Sequence, residues 1–304
     1  MEKVFVKPLL DDSEKIFFIE GERNGRYPYS NSLLIDDCMF DTGISSGYLR
    51  KLKRMKFPIN NVVTSHWHED HISGARLLED AKYFCHVKDK PIVENIDKYF
   101  KTYYGIIGTP AEKLFDSILE GLRLKDIKVD VPINDNDLIQ IGNNYKIKVI
   151  HTPGHSAGHC CFLEVNSKVA FLADIDFTSF GPWYGGIDSN LIEFEESIAK
   201  LKQYDIEIAV TSHKGVFQGK KLVREKLDEY QGIIDQRDDL ILENLSESKP
   251  TQIEELTNKN IIYKFYSEFA VYELIAEKIM LEKHFEKLIK KNIVKLDKNG
   301  YVLE

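Results

Sequence analysis

The chain has 304 residues, of which 43% are hydrophobic and 30% charged, and its formal net charge is −8 with a pI near 5.7. This composition is typical of a globular protein, and the acidic balance argues against a broad electropositive surface for nucleic acid. No run approaches the roughly 18 apolar residues of a membrane span, and the start of the sequence lacks the pattern of a signal peptide.

The four cysteines, Cys38, Cys85, Cys160 and Cys161, form no C-x-x-C pair. We therefore expect them to be reduced thiols in the protein core rather than metal ligands or disulfides. Because disulfides are rare in reducing compartments, this cysteine usage predicts a cytoplasmic protein.

The first part of the chain is predicted to be rich in strands. Short apolar or alternating runs occur in VFVKPLL, KIFFIEG and NSLLIDDCMFDTG, each broken by turn residues. Asp36 and Asp37 fit the tip of a hairpin, and Asp41-Thr42-Gly43 ends its second arm. The segment YLRKLKRMKF then has the apolar spacing of a helix.

Four further apolar runs, NVVT, YKIKVI, KVAFLA and IEIAV, are each followed by a polar loop that carries histidine or aspartate. If the four strands are neighbours in one sheet, these loops meet at a common edge, where open α/β folds place their sites.

Two regions interrupt or follow this pattern. Residues 88–130 have helical periodicity, with Pro110 opening the second helix, and are predicted to be a helical insertion. The insertion either packs as a pair of helices or lies over the site as a lid. From Lys220 a long amphipathic segment begins, followed by shorter helices around TQIEELTNK and HFEKLIKKN and a hairpin near Asn299-Gly300. We predict a domain at 1–219 and a second at 220–304.

The loop HWHEDH concentrates three of the chain's nine histidines between positions 66 and 71. Histidine nitrogens and carboxylate oxygens suit zinc, iron or manganese. His66 and His68 can hold one ion, whereas Asp70 and His71 can reach a second. One ion needs about three protein ligands, so other loops must contribute. The candidates at strand ends are His155, Asp174 and His213, and Asp174 can bridge two ions. Glu69 is expected to stand behind the ligands or face solvent. The other four histidines are expected to be ordinary core or surface residues, and they are His86, His151, His159 and His284.

The motif HWHEDH, with the later PGHS, Asp174 and His213, resembles the ligand pattern of the metallo-β-lactamase superfamily over roughly residues 1–219. The resemblance implies an α/β fold, a four-layer αββα sandwich with the metals at one edge. It assigns His66, His68 and His155 to a first metal, Asp70, His71 and His213 to a second, and Asp174 to a position between them. The tail resembles the winged-helix-like extension of the β-lactamase-like protein 2 branch, in which some members cleave RNA.

These ligands predict a hydrolase that uses a hydroxide bridging two divalent metal ions, most simply zinc, with iron or manganese as alternatives. Asp70 is the predicted catalytic residue. Glyoxalase-II-like thioesterases share the seven ligands, and a small thioester, ester or lactone is the leading substrate class. Aromatic side chains and one lysine in the site loops are predicted to bind the substrate. They are Trp67, Phe177, Phe180, Trp183, Tyr184 and Lys214.

Three alternatives remain open. The first is a ribonuclease or phosphodiesterase, for which the positive charge near the end of the chain would bind nucleic acid. This charge comes from Lys283, Lys287, Lys290, Lys291, Lys295 and Lys298. The second is a mononuclear iron persulfide dioxygenase using only His66, His155 and Asp174. The third is a metal-dependent binding module without catalysis. The amphipathic tail could also pair two chains in a homodimer.

Overall fold

The computed structural model describes residues 5–11, 15–257 and 259–304. The start of the predicted strand VFVKPLL, at Val4, and the start of the predicted domain 1–219 lie outside these residues. Two sheets form the centre of the molecule, and a separate hairpin follows near the end of the chain.

Seven strands form the first sheet, in the order in which they occur in the chain. The pairs from β1 to β4 are antiparallel, and the pairs from β4 to β7 are parallel. The predicted hairpin tip at Asp36 and Asp37 is confirmed, because Ile35 pairs with Cys38 across it. The strands are β1 (Val6–Pro8), β2 (Ile16–Ile19), β3 (Ser32–Ile35), β4 (Cys38–Phe40), β5 (Asn61–Thr64), β6 (Lys82–His86) and β7 (Val131–Ile133).

Six strands form the second sheet, in the order β13-β12-β11-β10-β9-β8. Every pair is antiparallel except β11 with β12, which is parallel. The strands are β8 (Leu138–Ile141), β9 (Tyr145–His151), β10 (Cys160–Glu164), β11 (Val169–Ala173), β12 (Ile208–Thr211) and β13 (Gly215–Gln218). All four cysteines are free and buried, as expected for core thiols.

Helices cover the outer faces of both sheets. Two short 3₁₀ turns occur at Glu22–Asn24 and Ala75–Leu77. The helices are α1 (Ser46–Arg54), α2 (Glu69–Ile72), α3 (Lys90–Val93), α4 (Ile96–Tyr103), α5 (Ala111–Leu122), α6 (Leu191–Leu201), α7 (Lys220–Glu243), α8 (Ile253–Leu256) and α9 (Ala270–Lys290).

Three hydrophobic clusters define four layers. Between the sheets, Phe40 of β4 packs against Phe162 and Phe171 of the second sheet, with ring centroids 5.2 and 6.1 Å apart. A second cluster joins the outer face of the first sheet to α1 and to helices α3 to α5. A third joins the outer face of the second sheet to α6, α7 and α9. The αββα order that the resemblance implied is confirmed.

One expectation about the sheets is corrected. The strands NVVT, YKIKVI, KVAFLA and IEIAV are β5, β9, β11 and β12, and β5 belongs to the first sheet whereas the other three belong to the second. Strands that are buried on both faces read as continuous apolar runs in either sheet, so the runs alone do not identify the partner. The polar loops still meet, because the two sheets pack face to face and both place these strand ends at the same edge of the sandwich.

The C-terminal region is more helical than predicted. The helix expected around HFEKLIKKN begins at Ala270 and runs to Lys290, because Ala276 and Met280 continue the buried stripe of Phe285 and Leu288. The hairpin is confirmed as β14 (Val294–Asp297) and β15 (Gly300–Leu303). The division into two domains and the winged-helix comparison stay predictions. Within the described ranges, no helix combines the length and apolar character that a membrane crossing requires.

Candidate metal centre

The loop after β5 carries four of the seven predicted ligands and is held by Ser30, which precedes β3, and by the segment that follows β4. Ser30 Oγ donates a hydrogen bond to the carbonyl oxygen of Asp70 at 2.8 Å, and Thr42 N donates to that of His71 at 2.7 Å. Gly43 lies so close that a Cβ atom there would be 1.4 Å from the Asp70 carbonyl oxygen. The Asp-Thr-Gly segment therefore fixes the backbone of the ligand loop.

Asp41 is a buried partner of this loop whose role the sequence did not show. Its Oδ1 accepts the backbone N–H of Ser65 at 2.7 Å. Its Oδ2 accepts the Ser65 hydroxyl at 2.6 Å and is 2.7 Å from His71 Nδ1. The sequence feature that could have indicated this role is an aspartate at the end of a strand, directly before Thr-Gly.

Three histidines bring one nitrogen each to a common point. His66 Nε2 lies 3.0 Å from His68 Nδ1 and 3.1 Å from His155 Nε2, and the last two atoms are 2.9 Å apart. Asp174 Oδ2 lies 3.3 Å from His155 Nε2 and 4.0 Å from His66 Nε2. These four side chains form the first ligand group.

Asp70, His71 and His213 form the second group. Asp70 Oδ1 lies 3.7 Å from His71 Nε2, and Asp70 Oδ2 lies 3.5 Å from His213 Nε2. Asp174 Oδ1 faces this group, at 3.1 Å from His71 Nε2 and 3.5 Å from His213 Nε2. The two oxygens of Asp174 therefore face different groups, as a bridging carboxylate requires.

Hydrogen bonds on the far side of two of the rings, those of His155 and His213, select the tautomer that ligation needs. His155 Nδ1 lies 2.9 Å from the Trp183 carbonyl oxygen, and His213 Nδ1 lies 2.6 Å from that of Gly25. A carbonyl oxygen can only accept, so in the neutral rings these Nδ1 atoms carry the proton and Nε2 keeps its lone pair. Such outer partners orient metal-binding histidines in proteins.

The electrostatics of the two groups differ. Burial lowers the pKa of His66 and His68 well below the ordinary value, and neighbouring imidazoles lower it further. Burial opposes protonation of His213 too, but Asp174 and Asp70 outweigh it and raise its pKa to about 10. The histidines of the first group therefore offer neutral lone pairs, whereas the carboxylates of Asp70 and Asp174 that face the second group attract positive charge.

Three buried atoms of these residues have no hydrogen-bond partner among the described residues: His68 Nε2, on the ring whose Nδ1 faces the first group, and the two atoms that face the second group, His71 Nε2 and Asp174 Oδ1. An unsatisfied buried polar atom is costly and calls for an explanation. Cations held by nitrogen and oxygen ligands would satisfy His71 Nε2 and Asp174 Oδ1, and the absence of a cysteine ligand from the groups favours zinc, iron or manganese over a closed thiolate site. The residues present thus fit two divalent metal ions.

His159 also belongs to the site, although the sequence pattern gave it no role. It is buried, and its Nε2 accepts a hydrogen bond from the backbone N–H of Asp174 at 3.2 Å. Its Nδ1 lies 2.9 Å from Thr152 Oγ1. His159 therefore holds the backbone of the carboxylate that faces both ligand groups.

A cavity of about 640 Å³ opens beside the ligand groups. Of the six residues predicted to bind the substrate, Phe180, Trp183 and Lys214 line it. The other three are not among the residues that line it. Trp67 is buried in the cluster outside the first sheet, and Phe177 and Tyr184 are buried in the cluster outside the second.

The cavity has two further walls, one from the predicted insertion and one from the C-terminal region. Helix α5 contributes Leu114, Phe115 and Ile118, so the predicted helical insertion does reach the site. The segment before and at the start of α9 contributes the other wall. Its lining residues are Tyr263, Ser267, Phe269, Tyr272 and Glu273.

Glu69 joins these walls to the ligand loop. It is buried and accepts hydrogen bonds from the hydroxyls of Tyr27 at 2.7 Å and Tyr104 at 2.6 Å. Burial raises its pKa to about 7, and the neighbouring Asp70 carboxylate adds to the shift. Glu69 is therefore buried at the edge of the cavity beside the ligand loop and does not face solvent, the second of the two places expected for it.

The two-sheet sandwich and the two groups of histidine and aspartate ligands at its edge define a class, the αββα metal-binding proteins. The profile of the metallo-beta-lactamase superfamily matches residues 28–213, and the chain belongs to this superfamily. The predicted family is confirmed.

Individual relatives are distant. An uncharacterized protein of Aquifex aeolicus is 29% identical over 152 residues, which are 48% of this chain and 62% of that protein. A hydroxyacylglutathione hydrolase of Pelagibacter ubique is 24% identical over 172 residues, 55% of this chain and 59% of that protein. The chain thus spans about three fifths of the length of these relatives. A metallo-beta-lactamase family protein of Thermus thermophilus shares the fold, with a TM-score of 0.68 at 19% identity, over 99% of this chain and 98% of that one.

Proposed function

We propose that this protein is a metal-dependent hydrolase that acts on a small thioester, ester or lactone with two divalent cations, zinc in the first instance and iron or manganese as alternatives. The observation that supports this most is the convergence of seven ligand side chains beside a cavity of about 640 Å³ with many aromatic wall residues. A cavity of this size suits a small molecule.

In this proposal, His66, His68 and His155 hold the first cation, and Asp70, His71 and His213 hold the second. Asp174 contributes one oxygen to each group. Cations bound there lower the pKa of a coordinated water to about 7 and polarise the substrate carbonyl.

The chain's own residues then do three things. Asp70 lines the cavity, where it would orient the attacking water and accept its proton, and this proton would pass to the leaving thiolate or alkoxide as the acyl bond breaks. His155 and His213 keep their Nδ1 protons on backbone carbonyls, so their Nε2 atoms stay oriented throughout. Tyr27 and Tyr104, both bound to Glu69, close one side of the cavity with aromatic rings and exclude bulk water.

The cavity wall supports an amphiphilic substrate. Phe115, Ile118 and Phe269 offer apolar surface for an acyl group or another carbon skeleton. Arg26 and Lys214 lie on the same cavity next to the second ligand group, and among the described residues they form no ion pair. They suit an anionic group such as a carboxylate. The name of the P. ubique relative, a hydroxyacylglutathione hydrolase, supports the thioester within this class.

The nuclease alternative loses part of its basis. Lys287, one of the six lysines that would bind nucleic acid, is buried and forms ion pairs with Glu195 at 3.0 Å and Asp238 at 2.5 Å. Lys283 lies 3.4 Å from Glu286. These lysines stabilise the helices instead of presenting a continuous basic face.

The mononuclear iron dioxygenase alternative would use His66, His155 and Asp174 alone. It gives no role to Asp70, His71 and His213, although the ligand atoms of these three residues lie within 4.8 Å of one another. Two ions therefore fit the site better than one.

The test is metal analysis of the purified protein, followed by assays with acyl thioesters, esters, lactones, a phosphodiester and RNA. We expect two divalent ions per chain and hydrolysis of a thioester, ester or lactone, lost in His68→Ala and Asp70→Ala. Lys221→Ala, at an exposed position of α7, is the control. One iron per chain with oxygen uptake would replace the proposal with the dioxygenase, and salt-sensitive RNA cleavage would replace it with the nuclease.

Two further predictions stay proposals. The four free, buried cysteines support a reducing compartment, the cytoplasm. Pairing of two chains through the C-terminal helices rests on their amphipathic sequence, and gel filtration with light scattering tests it.

A further inference from the structure

Arg237, in the second half of α7, binds the loop that runs along the cavity between residues 180 and 184. Its guanidinium donates hydrogen bonds to the carbonyl oxygens of Phe180 and Pro182, both at 2.6 Å. A third hydrogen bond reaches Tyr184 Oη at 2.9 Å, and the guanidinium stacks 4.9 Å from the centre of the Phe180 ring. Arg237 is only 3% exposed, so water does not compete for these contacts.

The loop held by Arg237 sets the geometry of the first ligand group. The carbonyl oxygen of Trp183 fixes Nδ1 of His155 at 2.9 Å. The Trp183 ring packs against the rings of His155 and His68, with centroids 5.4 and 5.5 Å apart. Phe180 and Trp183 also line the cavity. A shift of this loop would therefore move one ligand and one wall together.

A buried network fixes Arg237 and the loop from the other side. Tyr184 Oη lies 2.6 Å from His284 Nε2 of α9, and His284 Nδ1 lies 2.6 Å from Asp238 Oδ1. Lys287 joins Asp238 to Glu195 of α6. Because the charges of Lys287, Asp238 and Glu195 have opposite partners, the network tolerates burial and restricts the loop to one position.

We propose that Arg237 is a positioning residue for the metal centre: it orients His155 through the 180–184 loop, so that the C-terminal helices are part of the active site. Arg237 itself lies behind the loop and is not among the residues that line the cavity. Arg237 acts on His155 through the backbone carbonyl of Trp183, a group that does not depend on the side chain at position 183. The proposal concerns cation binding and does not depend on the identity of the substrate.

The experiment measures zinc binding to the full chain by competition with a chromophoric chelator, at a temperature where each variant is folded by circular dichroism. Arg237→Met keeps the apolar stem and removes all three hydrogen bonds. We expect zinc affinity at the first group to fall about 10-fold, the lower end of the range found when direct hydrogen-bond partners of metal-binding histidines are removed, because Arg237 acts through the loop and not on the ring itself. Arg237→Lys should recover part of this loss, because one ammonium can reach one of the two carbonyls.

Tyr184→Phe and Lys221→Met serve as companions. Tyr184→Phe keeps the ring but removes the hydroxyl shared by Arg237 and His284, and we expect a smaller fall, of about 3-fold. Lys221→Met removes a long cation from an exposed position of the same helix and should leave zinc affinity unchanged. If Arg237→Met lowers the melting temperature but binds zinc as tightly as the unmodified chain, Arg237 is only a structural residue and the proposal is wrong. If Arg237→Met does not fold, Arg237→Lys and Tyr184→Phe are compared with Lys221→Met. If both bind zinc as tightly as Lys221→Met, the proposal is wrong.

Discussion

Replacing Asp41 with asparagine changes one atom of the metal centre's support, and its effect can be worked out from the structure. Oδ1 of Asp41 accepts the backbone N–H of Ser65 at 2.7 Å, and that donor cannot turn away. The oxygen of an asparagine must therefore occupy this position. Its amide nitrogen then takes the place of Oδ2, opposite His71 Nδ1 at 2.7 Å.

The substitution reverses the tautomer of His71. An N–H on Nδ1 cannot donate to an amide NH₂ group, so the proton moves to Nε2. That atom faces Asp174 Oδ1 and belongs to the second ligand group. A protonated Nε2 has no lone pair for a cation. We expect zinc affinity at the second group to fall 10- to 100-fold, or about 1.4–2.7 kcal/mol.

The assay is a chelator competition titration that resolves two zinc ions per chain. Asp37→Asn is the matched control, because Asp37 lies at the hairpin tip before β4 and its carboxylate accepts hydrogen bonds from the side chains of Asn60 and Asn61 at 2.9 and 3.2 Å. Circular dichroism shows whether Asp41→Asn is folded. The reasoning is refuted if Asp41→Asn is folded and binds both zinc ions as tightly as the Asp37→Asn variant.

The remaining predictions concern the ligand loop, a histidine pair and the C-terminal network. Gly43→Ala should abolish binding of both zinc ions or prevent folding, because its Cβ would meet the Asp70 carbonyl at 1.4 Å; Gly47→Ala, whose Cβ finds its nearest atom at 3.7 Å, should do neither in a metal analysis. Burial, followed by the neighbouring His151, lowers the pKa of His86 to about 3, so the unfolded chain binds more protons below pH 6.5 and stability is lost as pH falls from 6.5 towards 3. Between pH 7 and pH 5, the free energy of unfolding of His86→Asn, measured with urea, should therefore fall by about 1–2 kcal/mol less than that of the unmodified chain. An equal fall in both proteins would contradict this. Lys287→Met should cost about 3–5 kcal/mol of unfolding free energy, because it leaves Asp238 and Glu195 short of a buried partner; a cost below about 1 kcal/mol, as expected for exposed Lys221→Met, would show that the ion pairs contribute little.

The ligand loops were predictable because their signal is local. His66 and His68 follow the apolar run of β5 directly, and His155, Asp174 and His213 follow β9, β11 and β12 closely. Strand ends of this kind gather at an edge whichever sheet they belong to, so the error about the sheets did not disturb the prediction of the ligand set.

The support of the ligands was not predictable, because it depends on contacts distant in sequence. Arg237 and Pro182 are 55 residues apart, and Tyr27 and Glu69 are 42 apart. Aromatic side chains in loops were equally ambiguous. Trp183 lines the cavity whereas Tyr184, its neighbour, is buried, and no periodicity in an irregular loop tells the two orientations apart.

The ligand set is divided between the two halves of the polypeptide at the crossing from β7 to β8. His66, His68, Asp70 and His71 precede this crossing, whereas His155, Asp174 and His213 follow it. A cut within residues 134–137 would give two fragments, each with an incomplete set. Zinc would then bind tightly only where the two fragments associate, so its affinity would measure how well they reassemble. The chain is therefore a candidate for a split-protein reporter whose assembly depends on zinc.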